Sequence, residues 1–200
     1  MARRAGLKRK QASSAPGRLR IVAGIWRSRM LDIADVEGLR PTSERIRETL
    51  FNWLTPAIAG RRCLDLFAGT GALGLEALSR GAKEAVFVER SRRAVSTLRK
   101  NIELLDAAGA VVHEGDAREL LPTFGDGRFD VVFLDPPFAD ESLSELCRLI
   151  DEEGVLAPGA RVYLEQARTA EDPELPAGWQ IAKDKAAGNV RYMLVETSGN

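Results

Sequence analysis

Short apolar runs alternate along this chain with longer segments of helical periodicity, and that alternation predicts its architecture. Cys63 to Phe67, Val86 to Glu89, Ala110 to Glu114, Phe129 to Leu134 and Ala160 to Glu165 are apolar runs, most of them closed by turn residues. Such runs, rich in β-branched and aromatic residues, are those of buried strands. Between them, Ser43 to Leu54, Leu73 to Ser79, Ser91 to Leu105, Ala117 to Leu121 and Glu141 to Ile150 read as helices. Thr42 or Ser43 is placed to cap the first. Trp179 to Lys183 and Val190 to Glu196 pair across Gly188-Asn189 as a hairpin, which brings the sheet to seven strands. The prediction is a doubly wound α/β domain with a mostly parallel sheet. Ahead of it, Leu19, Ile21, Ala23 and Ile25 alternate with Arg18, Arg20, Val22 and Gly24, as in a half-buried strand, and a turn is expected over Trp26 to Arg29. The expected organisation is a disordered basic tail over 1–17, a strand or hairpin extension over 18–39, and one domain over 40–200.

Composition narrows the class. With 44% apolar and 29% charged residues, the 200-residue chain reads as a soluble globule with one sizeable core. No apolar run approaches the ~20 residues of a membrane span, and the basic start lacks the apolar stretch of a secretory signal. Cys63 and Cys147 stand apart in apolar segments, which suits buried thiols in a reducing, cytoplasmic setting. His113 is the only histidine, so neither a histidine-based triad nor a histidine-rich metal site is available, and no metal is expected. The net charge of zero hides a strong asymmetry. Residues 1–50 hold 12 Lys or Arg against 5 Asp or Glu, a net of +7, which leaves −7 for the rest. Nine of those basic residues precede the first acid. A basic terminal block of this kind is a candidate nucleic-acid arm. Arg18, Arg20, Trp26, Arg27 and Arg29 are its candidate contacts; Trp26 either stacks on a base or packs on the domain.

The candidate chemistry lies at strand ends. Phe129 to Leu134 runs straight into Asp135-Pro136-Pro137-Phe138. Two prolines have no N–H to donate, so neither helix nor sheet continues, and Pro136 biases Asp135 away from the helical region. The result is a rigid elbow where open α/β sheets bind ligands. Asp135 and the Pro136 carbonyl can accept the hydrogens of a planar amine, and Phe138 can stack on its ring. Upstream, Asp65 precedes a glycine-rich turn, Phe67-Ala68-Gly69-Thr70-Gly71, that opens a helix. Glycines allow close backbone approach there. Glu89 ends the next strand, placed for the two hydroxyls of a ribose. Gly69 to Gly74 formally matches G-x-G-x-x-G, so an NAD-dependent dehydrogenase is one reading. Asp65 argues against it, because a carboxylate there repels a pyrophosphate but suits a cationic amino-acid tail. S-adenosylmethionine has such a tail, a ribose and an adenine, and no phosphate. Asp116, followed by Ala117, comes after the third strand and can accept from the adenine amine, cap a helix, or both.

Taken together, Asp65 to Gly71, Glu89, Asp116 and Asp135 to Phe138 resemble the ordered motifs of class I S-adenosylmethionine-dependent methyltransferases. The D-P-P-F form is similar to those acting on exocyclic amines of bases. Arg40 to Leu54 resembles the signature that precedes the cofactor strand in the RsmD family, and Arg20 to Gly24 resembles that family's first strand. The resemblance covers about residues 18–196. It implies a Rossmann-like fold with a reversed last strand, and Arg40 and Thr42 among the cofactor-binding residues. It also implies methylation of the 2-amino group of a guanine in 16S ribosomal RNA, position 966 in the family's type reaction. S-adenosylhomocysteine would be the product, the setting a small-subunit ribosomal particle, and the enzyme a monomer. Two rivals remain beside the dehydrogenase. Another amine methyltransferase, acting on DNA adenine or protein glutamine, shares the elbow. A non-catalytic RNA-binding module would tolerate loss of Asp135 or the glycines, yet both are present.

Overall fold

The computed structural model describes residues 17–36, 41–55, 57–125, 128–137 and 143–198. Two short strands come first, β1 (Arg18–Arg20) and β2 (Met30–Asp32), paired antiparallel with Leu19 opposite Leu31. Then follow α1 (Glu44–Leu54), β3 (Arg62–Asp65), α2 (Ala72–Ser79), β4 (Glu84–Glu89), α3 (Arg92–Leu105) and β5 (Ala110–Glu114). After α4 (Ala117–Leu120) and a 3-10 turn at Leu121–Phe124 come β6 (Phe129–Leu134), α5 (Leu143–Glu152), β7 (Leu156–Ala167), β8 (Gln180–Ala187) and β9 (Val190–Glu196).

The main sheet has seven strands in the order β5-β4-β3-β6-β7-β9-β8. The first five are parallel, and β9 runs antiparallel to both β7 and β8. The expected Rossmann-like fold with a reversed last strand is what the chain adopts. One apolar cluster joins the hairpin, α1, α2 and α3 to one sheet face through Cys63, Phe87, Val131, Phe133 and Tyr163. The other joins α4 and α5 to the opposite face through Leu64, Val86, Val132, Leu134 and Val162. Crossovers on both faces follow from right-handed strand–helix–strand units.

The amino-terminal strand is shorter than the alternation predicts. Leu19 and Ile21 are buried, but β1 ends at Arg20, and Ile25 is 79% exposed. The Ile25 N–H bonds the Ser79 carbonyl, and the Trp26 N–H bonds the Ser79 hydroxyl, so the chain turns over the end of α2 instead of continuing extended. Gly24 permits the turn: its φ is +85°, and a Cβ there would lie 1.8 Å from the Ser79 carbonyl oxygen. Because Leu19, Ile21 and Leu31 belong to the first core cluster, the hairpin is an integral layer of the domain.

A buried ion pair fastens this layer. Arg47 and Glu76 have fully buried side chains 3.0 Å apart. The Glu76 carboxylate accepts from Arg47, from Arg80 and from the N–H groups of Val22 and Ala23. Arg47 in turn donates to the carbonyls of Arg20 and Thr42. Each of the three guanidinium nitrogens of Arg47 thus has a partner, as a buried charge requires. The pair ties the hairpin, α1 and α2 to the segment that carries Thr42.

Candidate active site

Strand order brings the carboxyl ends of β4, β3, β6 and β7 side by side. Alternation along each strand then places Glu89, Asp65, Asp135 and Glu165 on the same face, above Phe87, Cys63, Phe133 and Tyr163. Asp65 stands in register with Phe87 and with Phe133, and Phe133 with Tyr163. Glu89, Asp135 and Glu165 therefore lie two residues further along, about 6–7 Å above Asp65. Four carboxyl groups thus form a row across neighbouring strand ends.

The β3–β4 half is bound to the backbone. α2 begins at Gly71, whose φ of +83° suits glycine and which has no side chain to cap the helix. Asp65 supplies the missing cap from the strand, accepting the Gly74 N–H at 3.1 Å. Glu89 accepts the Gly69 N–H at 2.8 Å and the Ser91 N–H at 2.7 Å, so it fixes the glycine turn and the start of α3 together. Ala68 is buried and bonds the Val88 carbonyl, while Phe67 packs against the α5-side cluster. Asp116 accepts the Arg118 N–H at 2.9 Å as the cap of α4, and Ala117 is buried behind it. The Asp116 carboxyl thus has the capping role in this structure and keeps lone pairs for a further donor.

Asp65 is 2% exposed, and its carboxyl is pushed up to about 7, chiefly by burial, with Asp135 and Glu89 adding repulsion. A cation seated near it would restore the ionised form. The Thr70 hydroxyl lies in the same turn, buried and without a hydrogen-bond partner. Such an orphan is uncommon in a folded protein and marks a place where a polar ligand atom fits. An orphan hydroxyl, a carboxyl starved of positive charge and free lone pairs on Glu89 together match a ligand with a cationic tail and a diol.

The β6–β7 half is held differently. Thr42, just before the Ser43 cap of α1, donates its hydroxyl to Asp135 at 3.0 Å. Asp135 keeps partial solvent contact, but burial among the strand ends pushes its carboxyl up to about 6, against the pull of the Thr42 hydroxyl. Pro136 is buried and Pro137 exposed. Phe138 and Arg40 lie outside the described residues. Next to Asp135, Glu165 is 5% exposed and accepts the Tyr163 hydroxyl at 2.6 Å. Burial first, and the charge of Asp135 second, push the Glu165 carboxyl up to about 8. Pro136, Glu165, Gln166, Leu143, Ser144 and Asp172 border a cleft of about 310 Å³ beside the elbow, within the range of small-ligand pockets.

Two pieces of this half escape the sequence reading. Tyr163–Glu165 reads only as the end of an apolar strand, although a carboxylate closing such a strand is the signal that singled out Glu89. Thr42, expected at the cofactor, gives its hydroxyl to Asp135. Among the described residues no group of three or more His, Cys, Asp or Glu could hold a metal ion.

The basic candidates separate into two places. Arg18 faces Asp32 at 4.0 Å, and Arg20 pairs with Glu44 at 2.7 Å, beside the start of α1 and the elbow. Trp26 is half-buried against the first core cluster, so packing prevails over display. Arg27 is exposed, and Arg29 donates to the Leu104 carbonyl at the end of α3. Helices α2 and α3 end at the amino edge of the parallel strands, so Trp26, Arg27 and Arg29 lie at the opposite edge of the sheet from Asp135.

The chain is similar to known proteins in sequence and in fold. Residues 19–196 match the family described as conserved hypothetical protein 95. The chain is 44% identical over 188 residues to ribosomal RNA small subunit methyltransferase D of Escherichia coli (strain K12), covering 94% of both chains. It is 42% identical over 199 residues to the protein of the same name from Haemophilus influenzae, covering 95% of this chain and 100% of that one. The solved structure of yhhF from Escherichia coli superposes with a TM-score of 0.84 at 41% identity, over 92% of this chain and 100% of the other.

Proposed function

Since the chain belongs to the family of conserved hypothetical protein 95, the RsmD family, we propose that it transfers a methyl group from S-adenosylmethionine to the exocyclic 2-amino group of a guanine in 16S ribosomal RNA. The observation that carries this reading is the row of strand-end carboxylates with the Asp135-Pro136 elbow beside the glycine turn. Glu89 would take the ribose hydroxyls, Asp116 the adenine amine, the Phe67 to Gly71 turn the methionine portion, and Asp65 its ammonium charge. Bound there, the cofactor supplies an electrophilic methyl on a sulfonium.

The protein's task is alignment. An aromatic amine is a poor nucleophile because its lone pair is delocalised into the ring. Acceptance of its two hydrogens by Asp135 and the Pro136 carbonyl favours a pyramidal nitrogen and stabilises the positive charge that develops. A carboxyl titrating at about 6 can then take the proton that the nitrogen must lose. Thr42 donates its hydroxyl to Asp135, and Phe138 would stack on the base. A paired guanine cannot reach an elbow at a strand end, so the base must be unpaired or flipped out. Arg20, paired with Glu44 at the start of α1, and Arg18 on the same strand would contact the RNA on this side, and Arg27 and Arg29 would offer a second, distant contact with the RNA backbone. The setting of a small-subunit particle, a monomeric enzyme and a cytoplasmic location complete the reading; among the described residues no helix is long and apolar enough to cross a membrane.

The test is incubation with labelled S-adenosylmethionine and small-subunit particles from cells lacking the activity, then mapping of the labelled nucleotide. Label on one guanine of 16S ribosomal RNA is expected. Label elsewhere, or none on particles and naked RNA alike, overturns the reading.

A further inference from the structure

The elbow holds an amine, and guanine and adenine both carry one. Something else must choose between them, and the row of carboxylates offers a candidate. Across the strand ends, Glu89 and Asp65 occupy β4 and β3, and Asp135 stands on β6. The next strand, β7, lies on the far side of Asp135 from the glycine turn. A base presenting its amine to Asp135 could extend its remaining ring edge toward that strand, whose Glu165 stands next to Asp135 in the row and, with Gln166 and Ala167, borders the cleft beside Pro136. We propose that Glu165 is a specificity-determining residue, whose carboxylate accepts the N1–H of guanine while Asp135 and the Pro136 carbonyl hold the neighbouring 2-amino group. The inference rests on the guanine reading above and adds the residue that enforces it.

The chemistry discriminates by sign. Guanine presents a donor at N1, beside its amine. Adenine presents an acceptor at N1, which a carboxylate repels. Glu165 is also held for the purpose: Tyr163 donates to one of its oxygens, and among the described residues no donor meets the other. Its surroundings are Tyr163 on its own strand, Asp135 from β6 and Tyr192 from β9; Trp53 of α1 stacks on Tyr192 with Lys185 of β8 over its ring, and Glu171, Asp172 and Glu174 border the same cleft. No cation among the described residues contributes to its charge balance. The ionised form is therefore disfavoured until a donor arrives. With its carboxyl raised to about 8, Glu165 is largely neutral at pH 7 in the free protein. The ionised carboxylate accepts N1–H more strongly than the neutral carboxyl's carbonyl does, and it alone has no O–H to offer the N1 of adenine, so selective capture of guanine strengthens as pH rises.

Three proteins separate the outcomes: wild type, Glu165→Gln and Glu165→Leu. Each is assayed for S-adenosylhomocysteine affinity by calorimetry, and for kcat/KM on small-subunit particles across pH 5.5 to 9, with labelled nucleosides separated after digestion. Glutamine keeps an acceptor oxygen at every pH; leucine has none. All three should bind S-adenosylhomocysteine equally. Leucine should lower kcat/KM roughly 10- to 100-fold, the value of a lost hydrogen bond to a charged group. Glutamine should retain transfer within a few-fold. The acid limb of wild type, near 8, should fall in the glutamine variant to the limb set by Asp135, near 6. Wild-type transfer in the leucine variant overturns the proposal. So does a glutamine variant that binds S-adenosylhomocysteine but keeps the limb near 8 or loses as much transfer as leucine. If wild type makes no N2-methylguanosine at all, the guanine reading fails first, independently of either variant.

Discussion

On the β3–β4 side of the strand ends, every carboxyl group is held by backbone N–H groups: Asp65 by Gly74, Glu89 by Gly69 and Ser91. On the β6–β7 side, each is held by one side-chain hydroxyl: Asp135 by Thr42, Glu165 by Tyr163. The difference separates two tasks. Backbone donors make Asp65 and Glu89 part of the architecture, so their removal loosens the turn they organise as well as any ligand they hold. Hydroxyl donors leave Asp135 and Glu165 with unused acceptor capacity in a poorly solvated place. Such groups are costly to the fold and available to a substrate, a balance typical of catalytic sites.

The largest effect expected from this contrast is at the elbow. Asp135→Ala should lower single-turnover methyl transfer by roughly 10²–10³-fold and leave the melting temperature unchanged or raised. Near-normal transfer would move the chemistry away from Asp135.

A second effect concerns stability. Asp65, Asp135 and Glu165 titrate near 7, 6 and 8 in the folded protein, above ordinary carboxyl values. The folded state therefore binds more protons than the unfolded chain. Their contribution is fully present below about pH 4 and is lost as pH rises through the folded values. Without ligand, these groups should lower the melting temperature by several degrees between pH 5 and 8, and S-adenosylmethionine should narrow the gap by bringing positive charge to Asp65. Scanning fluorimetry at a series of pH values checks both; a wild-type slope matched by a variant with all three carboxyls neutralised would contradict the assignment.

Thr42→Val should act more gently. Losing the hydroxyl removes the one bond that favours ionised Asp135, so in the Glu165→Gln background, where Asp135 sets the acid limb of kcat/KM, that limb should move above 6 and transfer at pH 7 should drop by about tenfold or less. An unmoved limb would leave Thr42 with a purely structural part.

The smallest effect belongs to the opposite edge of the sheet. Arg27→Ala and Arg29→Ala should each reduce the salt dependence of RNA binding by about one counterion, with S-adenosylhomocysteine affinity unchanged. Equal salt slopes for variant and wild type would confine the RNA surface to the Arg18–Arg20 side.

Much of the frame was legible because buried parallel strands are apolar throughout. β6 runs over Phe129–Leu134, as the pattern predicts, and so does β5 over Ala110–Glu114, although that edge strand is only half-buried. Where burial does not shape the sequence, the pattern falls silent. β8 is exposed along nearly its whole length, so nothing but pairing with β9 extends it to Ala187. β7 starts at Leu156, earlier than expected, across Pro158-Gly159, and its register with β6 shifts there between Phe129 and Val131. Asp65, Glu89 and Asp135 were found because glycines or prolines punctuate their surroundings. Glu165 has no such punctuation, and its interest depends on β7 lying next to β6. The Arg47–Glu76 pair left a trace: Glu76 is the one charged residue in the otherwise apolar helix Ala72–Ser79.

The separation of the two sides is tested most directly by titrating S-adenosylhomocysteine into wild type, Glu89→Ala and Asp135→Ala by calorimetry. Glu89→Ala should lose ~2–4 kcal/mol, from two hydrogen bonds to a charged acceptor and a loosened glycine turn, while Asp135→Ala should bind as wild type does. Equal weakening in both variants, or none in Glu89→Ala, would contradict the division of the site.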